Sequence, residues 1–327
     1  MTECLLKIVN LHVCFPTAKG LSNAVDGISL SVNKGEIFGV VGESGCGKSM
    51  TALSIVGLIS KPGRVSSGEI WLNGENILAL PEKEMQGRIR GEKVSMIFQE
   101  PMTSLNPLLT VGEQIVESLM VHKHMRRKDA KAQAVRLLRQ VGIPEPEKRA
   151  DDYPHSLSGG MRQRVMIAIA MCCQPELMIA DEPTTALDVT IQAQILSLMR
   201  SLRDETGTAI ILITHDLGVI ANTCDRVAVM YCGEIVESGS TYEVLQHPLH
   251  PYTKGLMASV PQMESTAKLL FNIPGTVPQL SYIPKGCKFA GRCDQCMEIC
   301  KTTKPSIRKT DGQNSVSCFL YEESHNE

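Results

Sequence analysis

Eight consecutive residues, Gly42-Glu43-Ser44-Gly45-Cys46-Gly47-Lys48-Ser49, constrain this chain more than any other stretch. They match G-x-x-x-x-G-K-[ST], a loop whose glycines let backbone N–H groups wrap phosphate oxygens while the following helix offers its positive end. Lys48 is placed to reach the β- and γ-phosphates of a nucleotide such as ATP, and the Ser49 hydroxyl to meet Mg²⁺. Met50, directly after the motif, is counted with the nucleotide-binding residues. The setting agrees: the apolar run Ile37–Val41 reads as a buried strand feeding the loop, after a turn at Asn33-Lys34-Gly35. The glycine spacing departs from G-x-G-x-x-G, which sets aside a dinucleotide-binding dehydrogenase.

Charge and hydropathy narrow the field. With 33 Lys+Arg against 35 Asp+Glu and a formal charge of −2, the chain has no overall basic field, and nucleic acid is disfavoured as a partner. No stretch approaches the roughly 18 apolar residues of a membrane span. The start, MTECLLKIVNLHV, reads as an alternating strand rather than a secretion signal, so a cytoplasmic location is expected. Of twelve cysteines, five (Cys287, Cys293, Cys296, Cys300 and Cys318) cluster near the C-terminal end, and structural disulfides are a poor expectation.

The apolar runs at residues 177–180 and 209–214, each followed by a polar loop, predict an α/β sheet around the phosphate loop. Residues 227–230 and 234–236 read as an edge hairpin turning at Cys232-Gly233. Helical periodicity at residues 111–120 and 130–141, separated by the charged turn at 122–128, predicts a helical insertion over about 101–160. Periodicity fades after Pro261 into a segment rich in Pro, Gly, Lys and Cys, so two units are expected, 1–262 and a separate small one at 263–327.

Downstream motifs follow in a diagnostic order. Leu157-Ser158-Gly159-Gly160-Met161, then Arg-Gln-Arg and an apolar helix, resembles the signature of ABC-type ATPases. There a serine, glycine N–H groups and a helix N-terminus meet a γ-phosphate. The resemblance implies an ABC-type P-loop fold and a head-to-tail dimer, in which Ser158, Gly159 and Gly160 serve the partner's nucleotide. Met161 stands where the family usually has Gln. The strand ending in Asp181-Glu182 resembles Walker B, with Asp181 organising the Mg²⁺ shell and Glu182 polarising the attacking water. Gln99 matches the Q-loop, which touches metal and nucleophile; His215 matches the switch histidine on the γ-phosphate; Asp188 matches the D-loop at the dimer interface. Phe15 is the candidate for stacking on adenine, whereas Phe38 reads as core. Cys46, inside the phosphate loop, suggests that thiol alkylation blocks ATP binding.

Three further stretches, FQEPMTSLNP at 98–107, LDVTIQAQI at 187–195 and HPLHPYTK at 247–254, resemble the ATPases of peptide importers. That resemblance covers nearly the whole chain. It implies a peripheral subunit on the cytoplasmic face of the membrane, working with a sister ATPase, two permeases and an external binding protein; nickel, glutathione and antimicrobial-peptide systems share much of the pattern. The resemblance also implies that Cys287, Cys293, Cys300 and Cys318 ligate a [4Fe–4S] cluster, with zinc as the rival and Cys296 obscuring the ligand set. His247 and His250, flanked by prolines, read as a packed turn. A soluble ABC ATPase acting on DNA or ribosomes normally carries a second nucleotide domain or a long coiled coil, and a regulatory subunit without turnover lacks the residues equivalent to Glu182 or His215.

Overall fold

The computed structural model describes residues 3–18, 20–99, 104–185, 187–259, 272–310 and 314–322. The strand β1 (Cys4–Thr17) pairs antiparallel with β2 (Gly20–Asn33) on one side and β4 (Arg64–Leu72) on the other, and β5 (Glu75–Asn76) joins β4. The larger sheet contains β3 (Ile37–Val41), β6 (Val94–Ile97), β7 (Leu177–Asp181), β8 (Ala209–Thr214), β9 (Arg226–Tyr231), β10 (Glu234–Ser240), β11 (Arg308–Lys309) and β12 (Ser315–Val316). Its order is β11-β12-β10-β9-β3-β8-β7-β6, and β9, β3, β8, β7 and β6 run parallel.

The uninterrupted apolar runs of β3, β7 and β8 are explained by burial on both faces. Successive side chains in a strand point to opposite faces. Ile37, Val41, Met178, Ala180, Ile210 and Leu212 accordingly face one core, shared with the helices. Phe38, Val40, Leu177, Ile179, Ile211 and Ile213 face a second core, closed by Leu6, Ile8, Leu11 and Val13 of β1. A sheet covered on both faces leaves its strand ends as the accessible chemistry, and β3, β7 and β8 all deliver their C-terminal ends to the same side.

The expected helices form at Val111–Lys123 and Arg127–Gln140. The Thr110 hydroxyl accepts from Glu113 N–H at 3.3 Å, satisfying one of the donors exposed at a helix start. His124, left-handed at φ 50°, ends the first helix; in the turn that follows Met125 packs on the core while Arg126 is exposed. Ala130, Ala134, Leu137 and Leu138 place the second helix's apolar stripe in the same core as Val165 and Ile167 of the helix Gly159–Met171.

One expectation changes. The β9–β10 hairpin is not an edge, because β10 pairs with β12 and β12 with β11. The Cys-rich stretch therefore extends the main sheet through strands of two residues each, too short to leave periodicity in the sequence. The unit boundary expected at 262/263 lies outside the described residues. Among the described residues, no helix is long and apolar enough to cross a membrane.

Candidate functional site

The phosphate loop joins the end of β3 to the helix Lys48–Ile55, whose first turn carries no acidic side chain to compete with a bound anion. Gly47 has φ 102°, and a Cβ there would stand 2.6 Å from the Ala24 carbonyl oxygen. A Cβ on Gly42 would stand 2.2 Å from the Met230 carbonyl oxygen. Both positions require glycine, for conformation at one and closeness of backbone at both. Lys48 folds back over the loop, its Nζ donating to the carbonyls of Gly42 at 2.7 Å and Glu43 at 3.0 Å. Ser44 and Gly45 are exposed, Ser49 is half-buried, and Met50 packs its side chain on the second core.

Cys46 corrects an expectation. Its thiol is fully buried, and burial raises its pKa above the ordinary thiol value. Because the thiolate is the nucleophile, alkylation should be slow. The thiol packs beneath the loop, 3.8 Å from Lys48 Nζ, while the Cys46 N–H donates to the Glu43 carbonyl at 3.3 Å. Exposed Cys4 is expected to label first with a maleimide in the native chain, and Cys46 only on unfolding; mass spectrometry of timed digests checks the order.

At the end of β7 the two acids differ in environment. Burial raises the pKa of Asp181, a contact with Ser49 opposes this and the neighbouring Glu182 adds to it. Its Oδ1 is buried and has no hydrogen-bond partner. Glu182 leaves the strand in the left-handed region at φ 47°, a conformation that non-glycine residues adopt at a cost and that concentrates at functional sites. Its N–H is anchored on the Ile213 carbonyl at 2.9 Å. The Glu182 carboxylate accepts from Gln99 Nε2 at 3.1 Å and Thr185 Oγ1 at 2.8 Å, and lies 3.3 Å from His215 Nδ1. Burial opposes its ionisation, but the hydrogen bonds from Thr185 and His215, with the charges of His215 and Lys48, together hold the carboxyl below its ordinary pKa. Three residues from separate motifs, Gln99, Glu182 and His215, thus converge; Thr185 is a fourth that sequence reading missed, although it lies only three positions beyond Glu182.

The signature lies elsewhere. Ser158 caps the helix Gly159–Met171, its hydroxyl accepting from Met161 N–H at 3.4 Å. Ser158 and Gly159 are exposed, and Met161 turns its side chain to the core. A Cβ on Gly160 would stand 2.9 Å from Ile191, so that glycine permits close packing on the helix Val189–Thr206. Asp188 caps that helix, accepting from Ile191 N–H at 2.9 Å. Among the described residues, no hydrogen bond or ion pair joins Ser158, Gly159 or Gly160 to the phosphate loop. Phe15 lies inside β1 rather than at its end, half-buried against Gly63. Glu100, Pro101, Met102, Thr103 and Ala186, from the motif stretches, lie outside the described residues.

Contacts from the far end of the chain reach the loop. Glu43 N–H donates to the Tyr252 hydroxyl at 2.8 Å, and the Glu43 carboxylate receives both arms of Arg292. His250 is buried and caps the next helix through Nδ1, which accepts from Tyr252 N–H at 3.0 Å; burial lowers its pKa to about 3, as suits a neutral packed turn. Cys287, Cys293, Cys300 and Cys318 line one small cavity of about 10 Å³, and Cys296 lies outside it. Among the described residues, no group of three or more His, Cys, Asp or Glu side chains is arranged to hold a metal ion.

Two family models match the chain, "ABC transporter" over residues 25–185 and "Oligopeptide/dipeptide transporter, C-terminal region" over residues 236–300. The oligopeptide transport ATP-binding protein AppD of Bacillus subtilis is 51% identical over 320 residues, covering 98% of this chain and 97% of that protein. The oligopeptide transport ATP-binding protein OppD of Escherichia coli is 50% identical over 317 residues, covering 97% and 93%. A dimeric post-hydrolysis structure of the ATP-binding cassette MJ0796 bound to ADP and Pi matches with a TM-score of 0.65 at 28% identity, covering 72% of this chain and 99% of that one. The chain belongs to the ATP-binding subunits of oligopeptide and dipeptide ABC transporters.

Proposed function

We propose that this chain hydrolyses ATP to power the import of di- or oligopeptides, docked on the cytoplasmic face of the membrane with two permeases and fed by an external binding protein. The convergence of Gln99 and His215 on the Glu182 carboxylate carries the hydrolytic reading. A divalent cation suits the residues present, because Asp181 Oδ1 is buried without a partner and Ser49 stands beside that carboxyl. Ser49, Asp181 and Gln99 would hold Mg²⁺, which when bound neutralises phosphate charge.

The chain's own groups supply the rest. Lys48 exchanges the Gly42 and Glu43 carbonyls for phosphate oxygens, and the loop N–H groups and helix N-terminus orient the phosphates. Glu182, ionised and fixed by its three neighbours, accepts hydrogen bonding from the attacking water, while His215 stands beside it at the γ-phosphate end. Ser158 and Gly159, exposed at a capped helix start, with Gly160 beside them, complete the site of a sister ATPase in a head-to-tail dimer, and Asp188 lies close to that interface.

We also assign the four cavity cysteines to a [4Fe–4S] cluster. Four cysteine thiolates are the donor set of such a cluster, and these four line one cavity. Anaerobic co-purification with the permeases tests both assignments. ATP-dependent uptake of labelled di- and oligopeptides, with iron and broad visible absorption in the sample, is expected. Uptake of nickel alone would overturn the peptide assignment, and an iron-free sample the cluster.

A further inference from the structure

We propose that Arg292 is a positioning residue for nucleotide binding: from the C-terminal stretch it holds the phosphate loop in shape and neutralises the Glu43 carboxylate inside that loop. The guanidinium meets Glu43 in a two-armed pair, at 2.6 Å to Oε2 and 3.0 Å to Oε1. Its Nε donates to the Pro274 carbonyl at 2.8 Å, with further contacts to the Ile273 carbonyl and the Tyr231 hydroxyl at 3.4 Å. The Arg292 side chain is 6% exposed and that of Glu43 29%. A planar fork fixed on so many sides defines the position of the carboxylate it grips.

A second cation of the same stretch reaches the loop by another route. Lys288, 5% exposed, donates to Asp26 at 2.8 Å and to the Cys232 carbonyl at 2.9 Å, and pairs with Glu234 at 3.0 Å. The adjoining Gly233 N–H donates to the carbonyl of Cys46 at 2.8 Å. The phosphate loop is therefore held at Glu43 by Arg292, 249 positions away, and at Cys46 by Gly233, whose neighbour Cys232 is gripped by Lys288. These cations do more than fasten the C-terminal stretch to the core, because Arg292 compensates a negative charge beside the place where a nucleotide brings several more. Without Arg292, Glu43 is left as a half-buried, unpaired anion within the phosphate loop.

The inference rests on the nucleotide reading of residues 42–49, which ATP binding by the wild-type chain tests separately. Equilibrium binding of MgATP to the full chain is measured for Arg292→Gln, Arg292→Lys and the double variant Arg292→Gln/Glu43→Gln, with thermal melts alongside. Arg292→Gln is expected to raise the Kd about tenfold, a difference of about 1.4 kcal/mol. Adding Glu43→Gln is expected to recover the Kd to within about threefold of wild type, since the anion is gone. Arg292→Lys, which keeps the charge but loses the fork, is expected to fall between. A wild-type Kd in folded Arg292→Gln, or a double variant no better than Arg292→Gln, overturns the proposal. Should Arg292→Gln not fold, a wild-type Kd in Arg292→Lys overturns it instead. A role confined to anchoring the C-terminal stretch predicts altered melts with no recovery of ATP affinity in the double variant.

Discussion

Replacing Glu182 by Gln is expected to lower steady-state ATP hydrolysis by two or more orders of magnitude while ATP still binds. The substitution preserves the shape of the side chain and an oxygen able to accept from Thr185, so the left-handed backbone at this position and its anchor on Ile213 have no reason to move. What is lost is the anion. In the native site burial works against the charge, but the hydrogen bonds from Thr185 and His215 and the charges of His215 and Lys48 together hold the Glu182 carboxyl below its ordinary pKa, as the proposed base requires. An acid–base contribution of this kind is worth roughly 10²–10⁴-fold. Lys48 and the loop glycines are untouched, so ground-state binding persists and ATP-bound dimers accumulate. Phosphate release and size-exclusion chromatography with ATP check both halves of the expectation, and turnover near wild type removes Glu182 from its role. The pH dependence has a defined sign: because the folded pKa is depressed, the ionised and active form is lost as pH falls through that pKa, and hydrolysis declines on the acid side.

The parts of this site that were legible in the sequence share one property: their chemistry is local. The phosphate loop is eight adjacent residues, and its strand and helix are its immediate neighbours. The apolar runs ending at Asp181 and Thr214 read as buried strands because both sheet faces are covered, which removes the polar alternation of a one-sided strand. Cys46 shows the limit even within a motif. Sequence places it in the loop but does not say which way the side chain turns, and it turns into the core. The hairpin taken for an edge failed for a different reason, since its covering strand arrives late and is only two residues long. Arg292 and Lys288 had no local signal at all. Tyr252 lay within a stretch noted for its resemblance, yet its hydrogen bond to Glu43 spans 209 positions and no spacing rule reveals it. Periodicity reports which face is buried; it does not report which distant carboxylate a buried cation meets.

Substituting Ser158 by Arg separates the two nucleotide contacts of one subunit. Ser158 contributes a helix cap and an exposed hydroxyl, with Gly159 beside it, at the start of a helix whose positive end points outward. Arginine removes the cap, worth about 1 kcal/mol, and places a bulky cation where a partner's nucleotide is expected to dock. Among the described residues no hydrogen bond or ion pair couples this position to the subunit's own phosphate loop, so its own ATP affinity should stay within about twofold of wild type. In the assembled dimer, hydrolysis at the site completed by Ser158 should fall about a hundredfold or more, the scale of removing preorganised donors from a developing oxyanion. Ser158→Ala removes the cap alone and sets how much of the loss is helix fraying. Mixing the Arg variant with a sister subunit whose own phosphate-loop lysine is replaced distinguishes the faces: the loss should track the partner's nucleotide, not the variant's. If Ser158→Arg instead abolishes ATP binding by the isolated folded subunit, the signature serves its own loop and the head-to-tail arrangement is wrong. The geometry predicts the opposite, because the exposed cap and the loop that Arg292 grips are independently built parts of one chain.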